Sequence, residues 1–462
     1  MAEALERLGK HEESLQAIVQ GEQVLATLAD EPPAVVAQRR AALIFFKGRN
    51  CFWKGQNDQA TAYFEQSLAL RQEHGNKYEI AISLQNIGLV CLTKGDLESG
   101  LEYHQQALKT FQEVGNKFRL GWCLANIGEI YEARGDLERA MDYNQQGLVA
   151  RRELGNKSQI AQSLNNVGGI YFRKGALTEA MASYQESHAL SEEVADTSPG
   201  ARWAFANMGL IYWYNGELDR ALEHLEPGLA DLERTGQETF IALASLDLIQ
   251  IHLDKGSVEQ AQDYLRRVQQ LNAQGDNKTV KQSYLLGQAL ILKTSPRVRM
   301  RVRAAELLEQ VVADEIISHS TTVTAMFALC ELLIDEIRAY GDSEALQEAK
   351  ILAENLYALA QRKHSFSLVV DALILQGKFA LIEGNLTAAE ELLEQAAALA
   401  EEKKLGLFLK KAVAERYRLD EQYKRWLHII QSNASFQERL EQAQLANYIK
   451  EAQKVARFES EM

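Results

Sequence analysis

Apolar and small side chains recur along the chain in two alternating kinds of segment, and the pair of segments repeats about every 40 residues. The first kind carries a glycine among apolar residues, with an asparagine two positions earlier in the sequence. These glycines are Gly88, Gly128, Gly168 and Gly209. The second kind begins after a turn such as Gly-Asp and carries a small alanine near its start, at Ala140, Ala180 and Ala221. Self-similarity at this spacing predicts stacked copies of one helix pair.

The small residues have a packing role in this prediction. A glycine on the first helix lets the second helix approach closely, and the alanine fills the other side of the contact. The body of the second helix carries Tyr143, Tyr184 or Leu225. Asp96 and Asp136 stand where a helix needs an N-cap acceptor. The turn glycines, for which we expect left-handed backbone, are Gly95, Gly135, Gly175, Gly216 and Gly256.

The rhythm of helix pairs divides the chain into four parts. We expect residues 1–33 to form a partial N-terminal repeat, 34–275 a superhelix with clear repeats, 276–404 degenerate helix pairs and 405–462 capping helices. A start in mid-repeat fits either a chain cut from a longer protein or a first helix that is short. The degenerate pairs are expected at 278–293 with 296–313, 318–339 with 342–361, and 365–383 with 385–404. Ser295 and Pro296 predict a helix start, as N-cap and first helical residue.

These repeats strongly resemble the tetratricopeptide repeat (TPR), a helix-turn-helix unit with small residues at these relative positions. The longer period, with a Gly-Asn-Lys link at 75–77, 115–117 and 155–157, is similar to that of kinesin light chain and of the polarity adaptors that bind Gα subunits. The resemblance covers residues 40–255, and beyond them only the rhythm of helix pairs continues. It implies an all-α fold: a right-handed α-solenoid, or superhelix, of stacked antiparallel helix pairs.

The resemblance also implies that the first helices line a concave groove, with the residue two positions before each glycine facing it. This position holds a ladder of amides at Asn86, Asn126, Asn166 and Asn207. An amide offers both donors and an acceptor, so it can hold the backbone of an extended peptide without reading its sequence. The alternative is that these asparagines help adjacent helices to pack.

Other groove positions carry aromatic and charged residues. They are Trp122, Trp203, Trp213, Tyr214, Phe172, Arg173, Glu129 and Glu132. Exposed aromatic side chains in a concavity are typical of binding surfaces. The alternative is that they lie half-buried between repeats. Because Arg173 is the one basic residue among the positions compared, a carboxylate clamp for the C-terminus of a chaperone is not predicted.

Composition and motifs narrow the class of function. The formal net charge of −14 argues against a nucleic-acid partner and against an anionic membrane surface. No P-loop, nucleophile elbow, dinucleotide fingerprint or metal-ligand spacing is present, so we expect no enzyme activity, no cofactor and no metal. We interpret the four cysteines (Cys51, Cys91, Cys123 and Cys330) as buried free thiols of a protein in the reducing cytoplasm.

The leading hypothesis is a non-enzymatic scaffold that binds a peptide or segment of a partner protein in the concave groove. The main alternative is a sensory or regulatory module of a larger protein, which controls an output domain through a bound peptide or effector. A third possibility is a helper subunit recruited through the convex face. The sequence predicts neither the identity of the partner nor the oligomeric state.

Overall fold

The computed structural model describes residues 11–27, 31–194, 199–275, 277–314, 318–432 and 434–455. In these ranges the chain forms α-helices joined by short turns, without a β-strand. The helices belong to two compact units, Met1–Ser163 (unit 1) and Leu164–Met462 (unit 2). The predicted all-α fold of successive helix pairs is confirmed.

Unit 1 holds seven described helices and the first part of an eighth. They are α1 (His11–Thr27), α2 (Pro33–Trp53), α3 (Asn57–His74), α4 (Lys77–Thr93), α5 (Leu97–Glu113), α6 (Lys117–Ala133), α7 (Leu137–Leu154) and α8 (Lys157–Arg173). The tightest packing lies within the pairs α2–α3, α4–α5 and α6–α7, and the second helix of each pair also packs on the first helix of the next.

Unit 2 continues the same arrangement from the later part of α8. Its further helices are α9 (Leu177–Glu193), α10 (Pro199–Tyr214), α11 (Leu218–Thr235), α12 (Glu238–Asp254), α13 (Val258–Gln274), α14 (Lys278–Lys293), α15 (Val298–Ala313), α16 (His319–Tyr340), α17 (Ser343–Arg362), α18 (Phe366–Glu383), α19 (Leu386–Glu402), α20 (Gly406–Gln431), α21 (Phe436–Ala443) and α22 (Leu445–Val455). Neighbouring first helices also contact one another, as in α12–α14 and α14–α16.

The glycine of each first helix does bring the second helix close. A Cβ atom placed on Gly88 would lie 2.9 Å from the ring of His104, and one on Gly128 would lie 2.2 Å from Nδ2 of Asn144. The same contact involves Tyr184 at Gly168 and Leu225 at Gly209. The sequence alignment was therefore wrong by one position in one repeat, because Asn144, not Tyr143, is the equivalent of Tyr184.

The turn inside each pair is built as predicted. Gly95 has φ +77°, a left-handed conformation that ends α4 without the steric cost a Cβ atom brings. The four other turn glycines have φ between +70° and +80°. Asp96 then accepts a hydrogen bond from the backbone N–H of Ser99 at 3.1 Å, and Asp136 accepts one from Arg139 at 3.1 Å. Both predicted N-caps are confirmed.

Each of the three residues in the Gly-Asn-Lys link between repeats has its own structural role. The second helix ends one or two residues before the glycine, and Asn116 caps the following helix by accepting from the N–H of Arg119 at 2.9 Å. Lys117, the first residue of α6, reaches Glu153 near the end of α7 in the same pair, with Nζ and Oε2 2.8 Å apart. Lys77 and Glu113 form the equivalent ion pair one repeat earlier, at 2.7 Å.

Two buried arginines join successive pairs in unit 1. Arg71, at the end of α3, donates to the carbonyl oxygen of Glu79 at 3.0 Å and to the Ser83 hydroxyl at 2.9 Å. Two repeats later Arg151 donates to the carbonyl oxygen of Gln159 at 3.1 Å and to the Ser163 hydroxyl at 2.8 Å. Burial lowers the pKa of Arg151 to about 10, so it remains charged at neutral pH.

Unit 2 closes on itself in two places. The turn after α8 lies against the start of α20, since a Cβ atom on Gly175 would be 2.5 Å from Cβ of Leu407. In addition, α21 and α22 do not simply extend the stack but pack back on α16 and α18. These two first helices are consequently buried on nearly every side, from residues 319 to 334 and from 367 to 382.

Two local predictions were wrong. The helix after Ser295 begins at Val298, because the Ser295 hydroxyl accepts from the N–H of Arg297 in a turn that precedes the helix. Cys51 and Cys91 are half-buried, whereas Cys123 and Cys330 are buried as expected. All four cysteines are free thiols.

Candidate functional site

The first helices of unit 1 leave one face partly open, and we call it the unit 1 inner face. It comprises eleven of the repeat positions on α2, α4 and α6 that the resemblance assigns to the groove. Its members are Phe46, Phe52, Trp53, Ile82, Asn86, Leu89, Leu92, Trp122, Asn126, Glu129 and Glu132. All of them are half-buried except Trp53 and Glu129, which are exposed. A continuous set of partly exposed side chains of this kind can contact a partner.

Aromatic residues form the α2 end of the unit 1 inner face. Phe46 and Phe52 pack against the core that includes Phe45 and Phe64. Trp53 lies beside Phe52, with ring centroids 5.8 Å apart, and remains 59% exposed. Trp53 was not among the predicted site residues, although it follows Gly48 by the same five positions that separate Tyr214 from its own glycine.

Trp122 is positioned by a buried cation. Its ring is half-buried, and the guanidinium of Arg151 lies 5.5 Å from the ring centroid. A cation over an indole face is favourable and restrains the ring. Trp122 is therefore a partly exposed aromatic side chain with a buried cation beside its ring.

The amides at the ladder positions are already engaged within the protein. Asn86 donates from Nδ2 to the carbonyl oxygen of Ile82 at 2.8 Å. Nδ2 of Asn126 lies 3.5 Å from Nε2 of His104, where the amide can only donate. These contacts support the packing role that the sequence left open.

His104 links this amide to the packing of the repeat. The ring is fully buried between Gly88 and Asn126, and burial lowers its pKa to about 4. The imidazole is therefore neutral at physiological pH, and its Nε2 accepts from Asn126 in the tautomer that carries the proton on Nδ1. No charge of its own reaches the inner face.

Carboxylates mark the α6 end of the unit 1 inner face. Glu129 is exposed, yet the surrounding protein removes part of its hydration and raises the pKa of its carboxyl above the ordinary value. Glu132, one helical turn further along, is half-buried. A cationic group placed beside Glu129 would compensate for the lost hydration.

In unit 2, the predicted site residues on α8 and α10 have mixed environments. Asn166, Arg173 and Trp203 are half-buried, and Trp203 lies 6.2 Å from Phe240 between ring centroids. Nδ2 of Asn207 donates to Oδ1 of Asn165 at 3.2 Å, so this amide too has a partner within the protein.

The prediction that Trp213 faces an open groove is wrong. Its side chain is only 3% exposed, and its indole N–H donates to Oδ2 of Asp254 at 2.8 Å. Phe172 is buried as well. Tyr214 is half-buried, and burial, with the nearby carboxylates of Asp371 and Glu451, raises its pKa to about 12. These aromatic rings belong to the packed interior of unit 2.

Within the described ranges, no group of three or more histidine, cysteine, aspartate and glutamate side chains is placed to hold a metal ion. None of the described helices is both long and apolar enough to cross a membrane.

Solved structures of known proteins share the fold. The apo form of the quorum sensor NprR from B. thuringiensis is 14% identical with a TM-score of 0.51, covering 76% of this chain and 99% of that chain. A Rap protein complexed with competence and sporulation factor is 16% identical with a TM-score of 0.46, covering 70% and 80%. A putative kinesin light chain from Podosopora anserina is 18% identical with a TM-score of 0.33, covering 43% and 94%. At such identities the likeness concerns the fold alone.

Family profiles identify the repeats from the sequence. No curated protein matches the chain. The profile described as a tetratricopeptide repeat matches residues 39–113 and 79–153. The profile described as the MalT-like TPR region matches residues 159–410, which is more than half of the chain. The resemblance drawn from the repeated glycines and alanines is thereby confirmed, and the chain belongs to the tetratricopeptide-repeat family, with a MalT-like TPR region over residues 159–410.

Proposed function

We propose that the chain is a non-enzymatic interaction scaffold and that its unit 1 inner face binds a peptide segment of a partner protein. The observation that carries this proposal is the 59% exposure of Trp53 beside Phe52, on a face whose other members are mostly half-buried. Large aromatic side chains are over-represented among the residues that dominate binding energy. The membership of a repeat family that builds extended concave surfaces adds support.

The chemistry of the unit 1 inner face favours a particular kind of peptide. Trp53 and Trp122 suit apolar or aromatic anchor residues, and Glu129 suits a lysine or arginine. Because the pKa of Glu129 is raised, its carboxyl takes up a proton at a higher pH than an ordinary glutamate does. We expect the affinity for a basic peptide to fall as the pH drops through that pKa, since the negative charge is lost.

The proposal is tested with peptides selected from a random library for binding to the full chain. We expect Trp53→Ala to weaken the selected peptides by about tenfold or more, the loss typical of an aromatic anchor. Val149→Ala is the matched control, since Val149 is 56% exposed but lies on α7, a second helix. Glu129→Gln should weaken only those peptides that carry a basic residue.

Binding affinities are measured by fluorescence anisotropy, and circular dichroism checks that each variant keeps its helical content. Peptides that bind the Trp53→Ala and Glu129→Gln variants as tightly as the unchanged chain would place the binding surface elsewhere and contradict the proposal.

We infer a cytoplasmic location from the cysteines. All four are free thiols, as expected in a reducing compartment. Alkylation of intact cells followed by mass spectrometry would check this inference. Half-exposed Cys51 and Cys91 should be recovered as reduced thiols, whereas their recovery in mixed disulfides would contradict it.

A regulatory module of a larger protein remains the second candidate function. The observation that favours it is the covered face of α16 and α18 in unit 2, because a binding surface that is closed by the chain itself can be switched. An open reading frame that continues into a kinase, nuclease or DNA-binding domain would support this candidate over the simple scaffold.

A further inference from the structure

The first-helix face of unit 2 is covered by the C-terminal end of the chain. We use the name unit 2 inner face for the side of α16 and α18 on which α21 and α22 pack. The covering helices contribute Leu440, Leu445, Tyr448, Ile449 and Ala452, all of them buried. Among the described residues of unit 1, the first helix α4 has no such cover over the face that matches the unit 2 inner face, and Leu89 and Leu92 on it are only half-buried.

The covering segment makes specific polar contacts with this face. The hydroxyl of Tyr448 donates to Oδ1 of Asp371 at 2.8 Å. Nζ of Lys378 donates to the carbonyl oxygen of Ala443, the last residue of α21, at 2.9 Å and to Oε2 of Glu415 at 2.7 Å. The covering helices therefore contact two polar side chains of α18 as well as its apolar surface.

These two polar side chains lie deep in the protein. Asp371 is 0% exposed and Lys378 is 2% exposed. Removing such groups from water costs free energy that an apolar side chain of similar size avoids, and the cost is recovered only when partners are well placed. A partner without matching groups would leave buried polar atoms unpaired, which disfavours its binding.

The covering segment is also distinct from the repeat array. The match to the MalT-like TPR region ends at residue 410, before α21 begins at Phe436. The two helices have only 8 and 11 residues, compared with 18 in α18. They follow a separate start, in which Ser435 and Glu438 form a capping box. A short segment with its own helix start can open as a cooperative unit separate from the repeat stack.

We propose that α21 and α22 are a tethered ligand of the unit 2 inner face, which in its open state binds a helix of a partner protein that presents a tyrosine hydroxyl to Asp371. The chain thus carries, within itself, an example of the ligand that this face accepts. Release of the segment exposes Asp371, Lys378 and the apolar surface between them. This binding face is separate from the unit 1 inner face and does not depend on the proposal made for it.

The test uses the full chain and a fluorescent peptide with the sequence of residues 434–455. In the unchanged chain the tethered copy competes, so the peptide binds weakly. Tyr448→Phe in the chain removes the hydroxyl of the tethered copy but leaves Asp371 in place. We expect this variant to bind the peptide about tenfold more tightly than the unchanged chain, as the loss of one buried hydrogen bond predicts.

Two matched controls make the result specific. A peptide with Phe in place of Tyr448 should bind the Tyr448→Phe chain about tenfold more weakly than the natural peptide does. Tyr417→Phe on α20 changes an exposed tyrosine and should leave peptide binding as in the unchanged chain. Equal affinity for the two peptides would overturn the proposal, because the hydroxyl would then have no part in recognition.

Amide hydrogen exchange of the unchanged chain provides a test that needs no variant. We expect the amides of α22 to exchange through an opening that leaves the amides of α18 protected. With an excess of the natural peptide, the opened face should stay covered by the peptide while the amides of α22 still exchange. If α22 and α18 exchange with the same free energy of opening, the segment is a permanent part of the core and the proposal is wrong.

Discussion

Two adjacent glycines in α8 have opposite surroundings. A Cβ atom on Gly168 would lie 2.6 Å from Cε1 of Tyr184, far inside normal contact distance. On Gly169 the nearest atom outside the helix backbone would be the Tyr184 hydroxyl oxygen at 3.9 Å, an ordinary contact. Only Gly168 is therefore required by the approach of the second helix. Gly169 lowers the helix propensity of α8, and no close neighbour needs the space that its missing side chain leaves.

Alanine substitutions should separate these two glycines. We expect Gly168→Ala to lower the free energy of unfolding by about 1–3 kcal/mol, because the Tyr184 ring has to move. Gly169→Ala should raise it by up to about 1 kcal/mol through better helix propensity. Urea unfolding followed by circular dichroism measures both. A loss of the same size at both positions would show that the contact with Tyr184 is not the determining factor.

At the scale of single residues, the sequence predicted what depends on position in the repeat. Gly168, the turn glycines and the cap at Asp136 follow from spacing alone, and the structure confirms them. The surroundings of Trp213 depend instead on Asp254, in the next helix pair, and the surroundings of Tyr214 on helices far along the chain. A periodic pattern carries no information about such neighbours, so their burial could not be predicted.

At the scale of the helices, their first and last residues were predictable where the capping and turn residues lie directly beside the helix. The expected helix at 278–293 is observed at Lys278–Lys293, and the one expected at 365–383 is observed at Phe366–Glu383. The start of α15 was misplaced because Ser295 can serve either as a cap or as a turn residue. The return of α21 and α22 was missed, although the near-continuous apolar runs of α16 and α18 indicate helices buried on all sides.

The buried arginines and the exposed lysines both connect neighbouring elements, but at different depth. Arg151 is 1% exposed and bonds to the first turns of α8, whereas Lys117 and Glu153 form an exposed ion pair. We expect Arg151→Met to cost about 1–3 kcal/mol, because the buried Ser163 hydroxyl loses its donor. Lys117→Met should cost less than about 1 kcal/mol, since exposed ion pairs contribute little.

Chemical denaturation of the two variants in parallel checks this difference between elements. Raising the salt concentration should reduce the small effect of Lys117→Met and leave that of Arg151→Met nearly unchanged, because buried contacts are screened much less. Similar costs for both substitutions would mean that the buried arginine is not a major link between α7 and α8.

In the whole molecule, the two units use one repeat in different ways. Unit 1 leaves its inner face partly open, and unit 2 brings the turn at Gly175 against Leu407 and covers α16 and α18 with its own C-terminal helices. The family profile and the spacing of the repeats predict the stack in both units. They do not predict which face stays accessible, because that depends on contacts between parts of the chain far apart in sequence, 77 residues for Asp371 and Tyr448 and 232 for Gly175 and Leu407.

The contribution of the contact at Gly175 can be isolated with a control in the same unit. Gly175 and Gly216 have similar left-handed backbone, with φ +70° and +80°, but a Cβ atom on Gly216 would meet nothing within 4 Å. Gly216→Ala should cost about 1–2 kcal/mol for the backbone strain alone. Gly175→Ala carries the same strain and also displaces Leu407, so its cost should be larger by about 1–3 kcal/mol.

Differential scanning calorimetry and urea unfolding measure the two costs. Equal losses at Gly175 and Gly216 would show that the contact with Leu407 contributes nothing to the stability of unit 2.

The contact between Gly175 and Leu407 also changes how unit 2 can come apart. In an open array each repeat is coupled only to its neighbours, so thermal fraying starts at the terminal pairs and moves inward. The contact between the turn after α8 and the start of α20 holds both ends of the region between them, so neither end is free to fray. Unit 2 should therefore resist stepwise fraying and lose its helix pairs together.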